Sequence, residues 1–174
     1  MRQNSKSVSP MSNEGRNTYV KEHLTDACLK LLRNKSINDI SISELCDIAG
    51  VGRASFYRNF ESKEDIVRVY INNLFSEWIN TYEQSDDTPI SELINLLFSH
   101  FEKYRDFYWL LNEQKLTYLL KDIIIRIVGL KPELSKTEAY TKAFVAYSLY
   151  GWTEVWFQRG MKESAEEMAG LFKM

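Results

Sequence analysis

Between Gly52 and Lys63 the run GRASFYRNFESK sets two guanidinium groups, an ammonium, a phenol and two hydroxyls within twelve residues. These side chains donate hydrogen bonds to oxygen and to ring nitrogen. No histidine or cysteine stands among them to activate a nucleophile. An arginine at the start of a short helix can pair bidentately with the edge of a guanine in the major groove of a duplex. Tyr57, Arg58 and Ser55 suit phosphate oxygens, which fix register without reading sequence. Lys63 follows Ser62, a cap position, and a cation beside a helix N-terminus is unfavourable unless an anion is present. A phosphate there would account for it. The DNA-facing set expected from the sequence is therefore Ser41, Ser43, Gly52, Arg53, Ala54, Ser55, Tyr57, Arg58 and Lys63.

Such a set works only if rigid elements hold it. Ser41 and Glu44 form an S-x-x-E capping box, and Ile42, Leu45, Cys46 and Ala49 make one buried stripe of a first short helix. Gly50 can end that helix in a left-handed conformation. The second helix is expected from Arg53 to Phe60, with Phe56 and Phe60 on its inner face. Two short helices about a Gly-containing turn are a helix-turn-helix. Upstream, Asn17 to Arg33 carries a sustained apolar stripe through Leu24, Ala27, Cys28, Leu31 and Leu32, with Ile37 and Ile40 as plugs for the small core.

The run Ile40 to Asp65 resembles the N-terminal domain of the tetracycline-repressor family of bacterial regulators. Ala49-Gly50-Val51, Phe56-Tyr57, Phe60 and Lys63 carry the resemblance in order and spacing. It extends over about Thr18 to Val69. Ser36-Ile37 departs from the usual Gly-aromatic pair, Cys46 from an alanine, and Gly52 from a Ser or Thr cap. The resemblance implies an all-α protein, with a three-helix helix-turn-helix DNA-binding domain on a C-terminal helical domain that dimerises and binds a small molecule. The expected division is a disordered tail over 1–16, the helix-turn-helix domain over 17–65, and the dimerisation and ligand-binding domain over 66–174.

Net charge is −2, which taken alone argues against nucleic acid. Residues 1–63 hold ten Lys and Arg against seven Asp and Glu, however, and residues 64–174 hold twelve against seventeen. A positive head on an acidic body fits DNA contact at one end. No apolar run approaches the roughly 18 residues of a membrane span, and no apolar segment resembles a signal peptide. A cytoplasmic protein without membrane association is expected. Cys28 and Cys46 fall on apolar helix faces and read as packing residues, with a redox pair as the alternative. His23 and His100 stand far apart in sequence, so neither a metal nor a cofactor is expected. The chain carries no nucleophile elbow or phosphate loop, and an enzyme is not expected.

Beyond the head, a long helix is expected from Ser62 to Gln84, joining the two domains. Ser85-Asp86-Asp87-Thr88-Pro89 is a break. Further helices are expected over Pro89 to Lys103, Tyr104 to Leu111, Glu113 to Val128 with a break near Leu116, Ser135 to about Gly160, and Lys162 to Phe172. The helix after Ser135 is apolar on more than one side, with Phe144, Leu149, Trp152 and Trp156 expected in one direction and Tyr147, Tyr150, Gly151 and Glu154 in another. A helix apolar all round is buried on all sides, and a second copy of the chain is a natural cover. The expected dimer interface is Tyr147, Tyr150, Gly151, Glu154, Val155, Gln158, Met161, Met168 and Leu171. Trp78, Tyr82, His100, Phe101, Tyr104, Tyr108, Trp109, Tyr118 and Tyr147, with Glu102, could line a pocket for a small hydrophobic or aromatic ligand.

The expected function is a sequence-specific DNA-binding regulator: a homodimeric repressor that a ligand releases from a palindromic operator. The alternative is a ligandless regulator of the same fold whose C-terminal domain docks a partner protein.

Overall fold

The computed structural model describes residues 13–82 and 89–171, with side chains from Gly15 to Ser76 and from Pro89 to Leu171. Most of the expected tail, the break at Ser85 to Thr88, and Phe172 lie outside the described residues. The described residues form helices without strands: α1 (Asn13–Leu32), α2 (Ile42–Ala49), α3 (Arg53–Asn59), α4 (Lys63–Tyr82), α5 (Ile90–Lys103), α6 (Arg105–Glu113), α7 (Lys121–Val128), α8 (Lys136–Gln158) and α9 (Ala165–Gly170). Short 3-10 turns at Ile37–Asp39 and Thr117–Leu120 precede α2 and α7. The chain divides into two compact units within α4, one ending at Val67 and the other starting at Arg68.

The first unit is organised around α1, which begins at Asn13, four residues before the expected Asn17. Leu24, Cys28 and Leu32 are fully buried along its length, and Ile37, Ile40, Leu45, Phe56 and Phe60 close the core. Both cysteines are buried and unpaired. Burial raises the Cys28 thiol to about 12, with the nearby Glu64 carboxylate adding to the effect.

The second unit is built on aromatic packing among α5, α6 and α8, with α9 packed against α5. The Phe98 and Trp156 rings meet edge-on at 5.1 Å, and Phe101 touches both Tyr108 at 4.8 Å and Phe157 at 5.7 Å. Edge-to-face pairs of this kind add about 0.5–1.5 kcal/mol each beyond their burial. Ser135 with Glu138 and Ser164 with Glu167 complete reciprocal capping boxes on α8 and α9. The last helix therefore begins at Ala165, not at Lys162. Glu102 on α5 reinforces that start by accepting from the Ala165 backbone N–H at 3.1 Å, so it serves as a tether where a pocket-lining role was expected. The expected break near Leu116 is present: Lys115 takes a positive φ of 57° between α6 and the following 3-10 turn.

Candidate nucleic-acid interface and C-terminal faces

The turn between α2 and α3 starts from Gly50, at φ 66°. The Val51 and Gly50 N–H groups bond back to the Cys46 and Asp47 carbonyls, the hydrogen-bond pattern of a Schellman cap, which a residue with a Cβ strains. Gly52 then takes an extended conformation as the N-cap of α3 and supplies no side-chain cap bond. On α3, Phe56 is wholly buried and Phe60, its C-cap, almost so, with ring centroids 6.2 Å apart. Arg53, Ala54, Tyr57 and Arg58 are consequently exposed and Ser55 half-buried. Tyr57 is 63% exposed, and its ring lies edge-on to Phe56 at 5.2 Å. An anchored aromatic pair inward thus presents a cationic and phenolic face outward.

Ser41 is exposed and Ser43 half-buried at the start of α2. Ser41 Oγ accepts from the Glu44 N–H at 3.1 Å. Only half of the expected capping box is made. The Glu44 carboxylate turns to Lys35 instead, with both oxygens 2.6 Å from its ammonium, because an ion pair across the linker outcompetes a bond to one backbone N–H.

Lys63 departs from expectation more sharply. Its ammonium donates to the carbonyls of Ile37 at 2.5 Å, Ile40 at 2.6 Å and Asn38 at 3.5 Å. Those carbonyls lie at the C-terminal end of the Ile37–Asp39 turn, where a cation is favoured. They supply the negative partner for which a phosphate was invoked.

In the second unit the expected pocket residues separate into two groups. His100, Phe101 and Tyr108 are buried together, with Tyr104 half-buried beside them. His100 Nε2 lies 2.7 Å from Tyr108 Oη, and its ring packs on Phe75 at 3.9 Å. Burial lowers the His100 pKa to about 4, assisted by Lys103, and holds the Tyr108 phenol well above its usual value. Trp109 on α6, Tyr118 on the Thr117–Leu120 turn and Tyr147 on α8 are surface residues. The side chains of Trp78 and Tyr82 lie outside the described residues. A shallow apolar groove that the sequence reading missed runs between α5 and α8, lined by Ile90, Ile94, Phe144, Val145, Leu149 and Trp152.

The α8 surface resolves into two opposed stripes. Ala146, Leu149, Thr153 and Trp156 are buried, whereas Tyr140, Phe144, Tyr147 and Val155 are exposed, Phe144 by 70%. Phe144 is not buried with Leu149 and Trp156 as expected: two turns before Gly151, it lies at the edge of the outer stripe, on the rim of the groove that Leu149 and Trp152 also line. Gly151, Tyr150 and Glu154 are half-buried, with the Tyr150 hydroxyl donating to Glu154 at 2.7 Å. Gln158 and Leu171 are exposed. Met161 and Met168 are buried within the chain itself, so they do not belong to an exposed interface. Met161 turns inward from a left-handed backbone at φ 56° just after α8, and Met168 lies on the face of α9 that carries Ala165 and Ala169 into the core.

Two family profiles match the chain. One, described as "Bacterial regulatory proteins, tetR family", covers residues 24–70, and the other, "Transcriptional regulator C-terminal region", covers residues 87–174. The chain belongs to the tetR family of transcriptional regulators. Solved structures of similar fold include the "Dihydroxyacetone kinase operon activator DhaS", at 18% identity, with 88% of this chain and 92% of that one covered and a TM-score of 0.52. The fatty acid degradation regulator FadR from Bacillus halodurans is similar at 14% identity, with 86% and 94% covered and a TM-score of 0.53. FadR from Bacillus subtilis, solved in complex with stearoyl-CoA, matches at 15% with the same coverage and TM-score. No curated protein matches the chain. No described helix is long and apolar enough to cross a membrane, and no described cluster of His, Cys, Asp and Glu could hold a metal ion.

Proposed function

We propose that the protein is a homodimeric, cytoplasmic repressor that reads a near-palindromic operator with α3 and is released by a small hydrophobic or aromatic ligand bound in the second unit. The observation that carries the DNA-reading part is the division of α3 into a buried Phe56–Phe60 face and an exposed Arg53, Tyr57 and Arg58 face. Arg53 is the first residue of the helix, the end from which recognition helices reach base edges. Ser41, Ser43 and Tyr57 then meet phosphates.

The outer stripe of α8 supports dimerisation. Tyr140, Phe144, Tyr147, Gly151 and Val155 recur at helical spacing, and Tyr is favoured at such surfaces. A second copy pairing the same stripe about a two-fold axis covers it. Two α3 helices then enter successive major grooves about 34–36 Å apart. The ligand part is supported by FadR from Bacillus subtilis, similar in fold, which was solved in complex with stearoyl-CoA. To move the population from 1:99 to 99:1, the ligand must favour one state by about 5.5 kcal/mol.

A second reading keeps the DNA-binding head and assigns the exposed Trp109 and Tyr118 to a partner protein. Titrating operator-bound protein with stearoyl-CoA and with short aromatic carboxylates separates the two. Release of DNA with saturable binding supports ligand control, and indifference to both probes favours the adaptor reading. Selection of bound duplexes from random DNA tests the head itself: recovery of an inverted repeat supports it, and recovery of no sequence preference rejects it.

A further inference from the structure

The clamp that Lys63 forms on the linker before α2 has a consequence for DNA reading. Residues 33–41 connect α1 to α2, and α3 follows α2 after only Gly50, Val51 and Gly52. The direction in which this linker enters α2 therefore sets where α3 presents Arg53. Ile37 and Ile40 are buried on one side of the linker. Their carbonyls on the other side face the Lys63 ammonium, and the Lys35–Glu44 ion pair ties the same linker to the first turn of α2. An ammonium has three protons to donate, and three backbone carbonyls surround this one. Its stem starts at the first residue of α4.

We infer that Lys63 is a positioning residue for sequence reading: it locks the α1–α2 linker to the start of α4 and does not contact a DNA phosphate. The inference deepens the proposed DNA-reading role and rests on it only for the DNA-bound measurements. In the free protein the ammonium is shielded whether or not DNA is ever bound.

The test uses the wild-type chain first. Reductive methylation with formaldehyde and a borohydride, read by peptide mass spectrometry, compares Lys63 with the exposed Lys30, free and with a duplex recovered from random-sequence selection. Lys63 is expected to react about tenfold or more slowly than Lys30 in the free protein, the factor that one charge-assisted hydrogen bond supplies. Added duplex is expected to leave its rate unchanged. Ready methylation in the free protein, or strong further protection by DNA, overturns the inference. If no duplex is recovered, the DNA-reading role fails while the free-protein rate still decides the clamp. In Lys63→Met, affinity for the selected duplex falls about tenfold while the slope of log affinity against log salt is unchanged, since a lost phosphate contact alone flattens that slope by about 0.9. A flattened slope, or an affinity equal to that of wild type, counts against it.

Discussion

The two units solve the same problem, what to do with aromatic side chains, in opposite ways. In the first unit Phe56 and Phe60 are spent on fixing one short helix, and the face left over is polar and cationic. In the second unit a dense cluster around Phe98, Phe101, Tyr108, Trp156 and Phe157 fills the interior, yet Tyr140, Phe144, Tyr147 and Val155 remain outside. A polar outer face calls for a polyanion or water. An apolar one calls for another protein surface or an apolar ligand. The contrast sets two surfaces of opposite chemistry on two stretches of chain.

The comparison breaks most visibly if either anchor is removed. Phe56→Ala should destabilise the first unit by about 3–5 kcal/mol, read as a lower melting temperature and loss of DNA binding together. If binding persists at full strength, the inward pair is not what holds α3. The outer stripe is tested by Tyr147→Glu combined with Val155→Glu. Opposed carboxylates across a two-fold axis should convert a dimer near twice 20.4 kDa into a monomer in size-exclusion light scattering, with the melting temperature of the chain little changed. A dimer that survives the pair places the interface elsewhere.

Arg53→Ala sharpens the other side. It should lower affinity for the selected operator by about 1–3 kcal/mol per contacted guanine, relax sequence preference there, and leave stability as it was. A smaller effect follows from His100. Its pKa of about 4 when folded lies below the ordinary value of 6.5, so the unfolded chain binds more protons between those values and stability falls as pH drops through that window. At about 1.4 kcal/mol per pKa unit, the loss by pH 4.5 is on the order of 2 kcal/mol. Chemical denaturation at pH 7 and 4.5 should show it, and His100→Gln should remove it. Equal slopes in both proteins would mean that other groups carry the acid sensitivity.

Local signals made the head legible. Gly50 ends α2 in the left-handed region, Ser41 caps it, and the four-residue spacing of Phe56 and Phe60 turns both inward, because each depends on neighbours a few residues away. The carbonyl partners of Lys63 were not legible, because they stand 23 to 26 residues earlier and are backbone groups, to which no side-chain pattern points. Glu44 was half-misread for a similar reason, since Lys35 lies across the linker. On α8 the helix and its Ser135 cap were plain, but apolar residues all round it gave no preferred direction. Phe144 is therefore exposed where burial was expected, and Met161 and Met168 turn inward because they lie past α8, beyond the left-handed backbone at Met161 and on α9. The described aromatics expected as a ligand lining divide between core and surface for the same reason: periodicity marks a face and does not say whether that face meets a cavity, a core or water.

The central claim is that an outward Arg53, Tyr57 and Arg58 face on α3 reads DNA in a two-fold pair. The most direct measurement is selection of bound duplexes from a random library, run in parallel on the wild-type chain and Arg53→Ala. The account predicts an inverted repeat with half-sites about one helical turn apart, a guanine in each half, and loss of preference at that guanine alone in the variant. Enrichment of an unpaired site, or the same consensus from both proteins, would contradict it.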